Sequence, residues 1–227
     1  MGIFGNVSKI MLYFAGVQLI AAAIWFNPAM SFVAKVIIAP AVVAVLAFGI
    51  MENFRLKLEI SRADAGFVAL PCRDWGKTLI VALAGAIFCL LMAVAIVWLL
   101  PRLWPSLNKV NLKSWIALIR EYKHMSPCSK NLLLFFSLLC YASAEEFLFR
   151  GLLLQYFKRH MVFSYALALS SLLFALAHLH PLYFPTSIVM GLVAGYLMQR
   201  TGNIWTPIAA HFVYNSLIVF GTQYSFL

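Results

Sequence analysis

Charged residues are scarce in this sequence, and acidic residues are scarcer than basic ones. Only 11% of the 227 residues are charged, only seven are Asp or Glu, and 64% are hydrophobic, with a mean hydropathy of +0.93. In an ordinary soluble domain about a quarter of the residues are charged, so this composition excludes that class. We therefore expect an integral membrane protein.

The four cysteines lack the spacing of a metal site or a redox pair. Cys89 and Cys140 lie within apolar runs, and Cys72 and Cys128 are isolated from one another along the chain. We interpret all four as packing or incidental thiols. Internal repeats and low-complexity tracts are also missing from the sequence. These absences leave one membrane domain as the simplest organisation.

Long apolar runs are the main feature that the sequence does contain. A membrane-spanning helix needs roughly 20 apolar residues, and the runs lie near 10–26, 32–51, 78–100, 131–157, 161–180, 184–199 and 204–220. The alternating pattern of a membrane barrel is missing. We predict an all-α fold, a polytopic bundle of about seven transmembrane helices. A cleaved signal peptide is the alternative for the first run, but the second run follows so closely that we expect a retained helical hairpin.

Basic residues are concentrated in the connecting segments and give the chain a net charge of +10. Nucleic acid is one partner that such a charge suggests. Anionic lipid headgroups are the simpler partner for basic loops between apolar runs, so we expect these and no nucleic acid. The stretch NLKSWIALIREYK at 111–123 has its apolar residues on one helical face, which predicts an interfacial amphipathic helix. A solvated helix packed on its own bundle is the alternative.

The stretch EEFLFRG places two adjacent carboxylates and an arginine inside an apolar run. A buried charge costs several kcal/mol, so ionisable groups within a membrane normally face a partner or a wet cavity. On a helix, Glu146 and Arg150 are four residues apart and can form an ion pair. Glu145 points about 100° away and has no partner on its own helix. We therefore expect Glu146 to be held ionised and Glu145 to be a candidate general base.

Two further pairs of residues lie in later apolar runs. Phe174 and His178 are four residues apart, and so are His211 and Asn215. Counted at about 1.5 Å per residue, their depths and those of the carboxylates overlap at about 12–25 Å from one membrane face. We predict that two carboxylates, two imidazoles and an amide meet inside the bundle. Either histidine taken alone is more often a residue of packing or hydrogen bonding.

Three motifs occur on separate apolar runs, in the order Glu-Glu-x-x-x-Arg, Phe-x-x-x-His and His-x-x-x-Asn. This set resembles the CAAX-protease and bacteriocin-processing family, known as CPBP or Abi, which includes the Rce1-like prenyl-protein endopeptidases. The resemblance covers about residues 131–220. It implies an intramembrane glutamic endopeptidase, with residues 1–130 forming N-terminal helices and an amphipathic connection, 131–220 the catalytic core, and 221–227 a short tail.

The resemblance also implies a role for each matched residue. Glu145 and His178 would activate a water molecule for attack on a peptide carbonyl, and His211 and Asn215 would stabilise the oxyanion. Glu146 and Arg150 would orient the site, with Glu146 also able to assist proton transfer. Phe174 would shape the pocket. The substrate would be a membrane-anchored protein or peptide, prenylated or of another kind, and the compact chain favours a bacterial cytoplasmic membrane.

Three alternatives stay open at this point. Two histidines and one glutamate can bind catalytic zinc, although the sequence lacks His-Glu-x-x-His, so we expect no cofactor. A proton-coupled transporter also buries Glu, His and Arg, although the inverted repeats of such carriers are missing. A non-catalytic scaffold or immunity factor of the same family is the third alternative. Substitution of Glu145 distinguishes these alternatives, because it abolishes proteolysis but leaves the binding by a scaffold intact.

Overall fold

The fold of the protein is a bundle of seven helices within the part of the chain that the structure describes. The structure is a computed structural model that describes residues 3–69, 71–104, 126–178 and 183–225. The helices are α1 (Ile3–Phe26), α2 (Phe32–Lys57), α3 (Trp75–Leu103), α4 (Pro127–Lys158), α5 (Phe163–Ala177), α6 (Tyr183–Thr201) and α7 (Trp205–Ser225). The predicted all-α class and the predicted number of helices are confirmed. The predicted amphipathic helix at 111–123 lies outside the described residues.

Four helices, α1 to α4, are long and apolar enough to cross a membrane. They confirm that the chain is an integral membrane protein. Helix α5 is apolar but has 15 residues, which is a length of about 22 Å. The hydrocarbon core of a bilayer is about 30 Å thick, so α5 is shorter than a perpendicular span requires. By length and composition, then, four of the seven helices qualify individually as spans.

Polar side chains mark the starts of three helices. The hydroxyl of Ser31 accepts a hydrogen bond from the Ala34 amide at the start of α2, and Ser126 caps α4 in the same way. The side-chain oxygen of Asn203 accepts a hydrogen bond of 2.8 Å from the amide of Trp205, the first residue of α7. Such caps pair backbone N–H groups that have no partner within the helix. These caps fix the first residues of three helices whose apolar sequences have little amphipathic pattern.

Helix α4 lies at the centre of the bundle. Its first part packs against α2 and α7, and its later part packs against α2 and α5. The side chains of Leu148, Phe149, Leu152 and Leu153 are fully buried in the main hydrophobic core. Helix α3 packs on the other side of the bundle, against α6 and α7. The central position of α4 removes its acidic pair from the lipid-facing surface.

The middle of α4 is wound as a π-helix from Phe147 to Leu153, between α-helical parts at Pro127–Glu146 and Leu154–Lys158. This segment follows the acidic pair directly. Gly151 lies within it, where a Cβ atom would come within 3.3 Å of the Met51 sulfur on α2. The wider turn and the glycine together bring α4 close to α2. Single π-turns within α-helices often occur at functional sites.

Helices α5 and α6 cross at a point of very close approach. A Cβ atom added to Gly191 on α6 would lie 2.8–3.0 Å from the Cβ, Cα and Oγ atoms of Ser171 on α5. Real Cβ atoms do not come this close to a neighbouring backbone. Gly191 therefore sets the distance between α6 and α5, the helix that ends next to His178.

The segment after α2 is bound to the C-terminal half of the chain. Arg159 donates hydrogen bonds to the carbonyl oxygens of Leu58 and Glu59, at 2.8 and 2.9 Å. The Asn203 side chain donates to the Val68 carbonyl at 3.0 Å, and the Ile204 amide donates to a carbonyl in the same segment. The N-terminal helices therefore pack as part of one bundle with the C-terminal helices. The predicted domain boundaries at 130 and 220 stay predictions.

Candidate active site

Glu146 and Arg150 form a buried ion pair in the centre of the bundle. The Glu146 Oε1 atom lies 3.0 Å from the Arg150 Nη1 atom, and both side chains are 1% exposed or less. The same carboxylate oxygen accepts a hydrogen bond of 2.8 Å from Nδ1 of His211 on α7. The predicted ion pair is present, and it extends to a histidine from another helix. Glu146 thus connects α4 to α7.

Glu145 points in a different direction from Glu146, toward both histidines. Its Oε2 atom lies 3.7 Å from the His211 Nε2 atom and 3.9 Å from the His178 Nε2 atom. Both distances exceed those of a hydrogen bond. This oxygen is buried and has no hydrogen-bond partner among the described residues. The carboxylate and the two imidazoles thus face one another at distances slightly beyond direct hydrogen bonding.

The orientation of His178 determines which of its nitrogens faces Glu145. Its Nδ1 atom lies 2.8 Å from the backbone carbonyl oxygen of Phe174. A carbonyl oxygen only accepts hydrogen bonds, so Nδ1 carries a hydrogen. In the neutral imidazole, the Nε2 atom is then a proton acceptor directed at Glu145. One turn of α5 therefore gives the histidine the tautomer that a general base needs.

Phe174 is a buried ring against which the other site residues pack. Its centroid lies 4.7 Å from that of His178 and 5.8 Å from that of His211, both in edge contacts. The Arg150 guanidinium carbon lies 4.4 Å from the same centroid, in a cation–π contact. A cavity opens beside Glu145, and Phe174 is not among the described residues that line it. Phe174 therefore packs against the candidate catalytic side chains and does not line the cavity.

Asn215 lies on α7, one helical turn after His211. Its side chain is half-buried and makes no hydrogen bond to another described residue. The structure therefore brings together both carboxylates, both histidines, Arg150 and Phe174, with Asn215 on the adjacent turn. The catalytic roles of these residues stay predictions. All seven are side chains that the sequence analysis predicted for the site.

A cavity of about 220 Å³ opens beside Glu145. The residues that line it are Phe14, Gln18, Tyr141, Glu145, Phe149, Ala177 and His178. The sequence analysis missed the two residues of α1 in this wall, Phe14 and Gln18. A signal for Gln18 does exist, because it is an amide in an otherwise apolar run, and polar residues in membrane helices usually face a partner or a cavity.

The same side chains are the candidate ligands for a metal ion. Within the described ranges, no group of three or more His, Cys, Asp or Glu residues has the arrangement of a metal site. Glu146 is already engaged by Arg150 and His211. Glu145 and the two histidines would be the donors left for zinc, and they do not have the arrangement of a metal site.

A helical membrane bundle with carboxylates and imidazoles beside a cavity contains the groups that acid–base catalysis requires. Residues 127–217 match the family model described as "Rce1-like", with the fuller description "Type II CAAX prenyl endopeptidase Rce1-like". This match confirms the predicted resemblance to the Rce1-like family and supports a CAAX-type membrane protease at the family level. No curated protein sequence and no solved structure matches the chain.

Proposed function

We propose that the protein is an endopeptidase that hydrolyses a peptide bond in a membrane-associated protein or peptide. The observation that carries this proposal is the environment of the Glu145 Oε2 atom. This oxygen has no hydrogen-bond partner among the described residues, it faces the Nε2 atoms of two histidines, and its side chain lines the cavity. A carboxylate placed beside an imidazole and an open cavity is suited to activating water.

In the first step, Glu145 and His178 take a proton from a water molecule as its oxygen attacks the peptide carbonyl carbon. The carbonyl oxygen becomes an oxyanion. When the tetrahedral intermediate collapses, the C–N bond breaks and the same pair returns the proton to the leaving nitrogen. The products are a carboxylic acid and an amine, so one water is consumed for each bond cleaved.

His211 and Asn215 are the donors that we propose for the oxyanion. The Nδ1–H group of His211 is engaged by Glu146, so its Nε2 atom donates only when both ring nitrogens carry a hydrogen. Glu146 would thus orient the His211 ring so that its Nε2 atom faces Glu145. The Asn215 amide needs no change of protonation to donate.

The substrate that we propose carries its own membrane anchor, since the site lies inside a membrane bundle. The family description names CAAX prenyl endopeptidases, so a prenylated CAAX peptide is the first substrate to test. A bacteriocin-type leader and a C-terminal sorting signal are the other substrate classes that we propose to include. The location that we propose is a bacterial cytoplasmic membrane, with anionic lipid headgroups around the basic loops.

The test is cleavage by purified protein in detergent, with peptides from each class and a soluble version of each. The variant Glu145→Gln keeps the shape of the side chain and removes the base, and we expect it to lose activity by about 10² or more. His211→Ala is expected to lose about 10² to 10³, the usual cost of one oxyanion donor. The matched control is Glu59→Gln, which alters an exposed carboxylate far along the chain from the motifs.

Full activity in Glu145→Gln would contradict the proposed mechanism. Activity that a strong chelator removes and added zinc restores would favour the metal alternative. Retained binding of a peptide that neither the wild type nor the variant cleaves would favour a scaffold. Cleavage of the soluble peptides at the same rate as the anchored ones would contradict the proposed substrate class.

A further inference from the structure

Helix α1 contributes one polar side chain to the wall of the cavity. Gln18 lies in the cavity wall with Glu145 and His178, and it is half-buried within an apolar helix. Its amide makes no hydrogen bond to any other described residue. An amide in a membrane helix is costly unless it meets a partner or a wet cavity. A ligand in the cavity would give the Gln18 amide such a partner.

Packing holds Gln18 in this position. Phe14 precedes it by one helical turn and lies on the same face of α1. The Phe14 ring contacts the Phe149 ring of α4 edge-on, with centroids 5.6 Å apart. Since Phe14 is buried and Phe149 is fully buried, this contact fixes the rotation of α1 against the acidic helix. The next turn of α1 must then present Gln18 to the same side.

The rest of the cavity wall comes from α4 and the end of α5. Tyr141 and Glu145 are one turn apart on α4, and both line the cavity. Ala177 and His178 complete this wall. Gln18 and the candidate base therefore line the same cavity, which has a volume of about 220 Å³. This is smaller than a typical ligand pocket of about 300–1,000 Å³, so it suits one or two residues of an extended peptide.

We propose that Gln18 is a substrate-positioning residue that pairs with the peptide backbone next to the bond to be cleaved. This inference rests on the proposed endopeptidase function and deepens it. A primary amide has both a donor and an acceptor, as a peptide group does, so the two can form complementary hydrogen bonds. Pairing with backbone would hold the carbonyl in register with Glu145 without selecting a particular side chain.

The same cavity disfavours an acidic residue beside the cleaved bond. Its walls carry the Glu145 carboxylate together with the rings of Phe14, Tyr141 and Phe149. No cationic residue is among the described residues that line it. An acidic substrate side chain here would lose its water, gain no cationic partner and lie beside another carboxylate. The expected substrate therefore has no Asp or Glu at this position.

The experiment combines variants of Gln18 with changes in the peptide backbone. The probe is a fluorescent S-farnesyl peptide with a CAAX terminus, in detergent, together with ester analogues that each replace one backbone N–H with oxygen. Gln18→Leu removes the amide at similar size, and Gln199→Leu makes the same change at an exposed position on α6. Thermal unfolding of both variants is expected to match that of the wild type.

For the wild type, we expect one ester analogue to weaken kcat/KM by about 3- to 10-fold, the effect of one hydrogen bond. Gln18→Leu is expected to lose a similar factor with the normal peptide and to be insensitive to that ester. A general structural defect would not remove the sensitivity to a single backbone position. Equal activity of wild type and Gln18→Leu, or equal ester sensitivity, would overturn the inference.

Binding separates this inference from the proposed function. The probe is also titrated into Glu145→Gln protein with and without Gln18→Leu, where no turnover is expected. Weaker binding of the double variant by about 3- to 10-fold supports the positioning role, even if the wild type cleaves none of the probes. Equal binding of the two proteins overturns it. Failure of the wild type to cleave counts against the proposed function alone.

Discussion

Replacement of Arg150 by methionine is the perturbation that tests the buried ion pair most directly. Arg150 is 1% exposed and makes a 3.0 Å contact with Glu146, whose side chain is completely buried. Methionine keeps much of the length and the apolar character of the arginine side chain. The substitution therefore removes the guanidinium and leaves the Glu146 carboxylate with His211 as its remaining partner.

The magnitude follows from the contacts that are lost. Breaking a buried ion pair by removing one partner usually costs about 3–5 kcal/mol, because the remaining charge stays buried without compensation. The cation–π contact with Phe174 adds up to about 2 kcal/mol in a desolvated site. We therefore expect Arg150→Met to lower the free energy of unfolding by at least about 3 kcal/mol. Combining it with Glu146→Gln removes both charges and is expected to recover part of that loss.

The assay is unfolding by SDS in mixed micelles, followed by the fluorescence of the six tryptophans. The control is Arg73→Met, because Arg73 is 86% exposed and its contact with Asp74 is long, at 3.8 Å. Exposed pairs of this kind contribute about 0–1 kcal/mol. A loss below about 1 kcal/mol for Arg150→Met would refute the reasoning. A double variant whose loss equals the sum of the two single losses would refute it as well.

Three further predictions concern stability away from the site. Gly191→Ala is expected to cost about 1–3 kcal/mol in detergent unfolding, because its methyl group would meet Ser171 at 2.8–3.0 Å. Asn203→Ala is expected to cost about 1–3 kcal/mol, because the buried amide joins the start of α7 to the segment after α2. Hydrogen bonds from Ser61 hold the pKa of Asp64 below its ordinary value of 3.8. The stabilisation of the fold by the Asp64 carboxylate is therefore complete above pH 3.8 and is lost as the pH falls through the lower folded-state pKa. When the free energy of unfolding is measured against pH, Asp64→Asn is expected to lack this decrease in acid.

Spacing along one helix predicted the contacts of the site most reliably. Glu146 and Arg150 are four residues apart, and this interval fixes their shared face whatever the rest of the fold does. The meeting of His178 and His211 with the carboxylates depends on three helices, yet it was also predicted from overlapping depths. The depth estimates ranged over about 13 Å, and helix tilt accounts for such a spread. Overlap in depth was enough, because few ionisable side chains are buried in the described part of the bundle.

Features that depend on rotation and local winding were not predicted. The sequence gives no sign that Phe147–Leu153 adopts a π-helix, since such a turn depends on how α4 packs against α2. Nor does it reveal that Gln18 lines the same cavity as Glu145, because α1 is apolar nearly all round and its rotation is set by the Phe14–Phe149 contact. The sequence alone does not predict the rotation of a helix that lacks a marked polar face.

The adjacency of the two glutamates has a physical explanation in this geometry. Neighbouring residues on a helix lie at nearly the same depth and point about 100° apart. Glu146 can therefore hold Arg150 and His211 in the core while Glu145 reaches the cavity at the same level. A pair of carboxylates four residues apart would share one face, and both would be drawn to Arg150. Placing the second carboxylate four residues before Glu146, by combining Glu145→Gln with Ala142→Glu, is therefore expected not to restore the cleavage that Glu145→Gln loses, and restored cleavage would contradict this explanation.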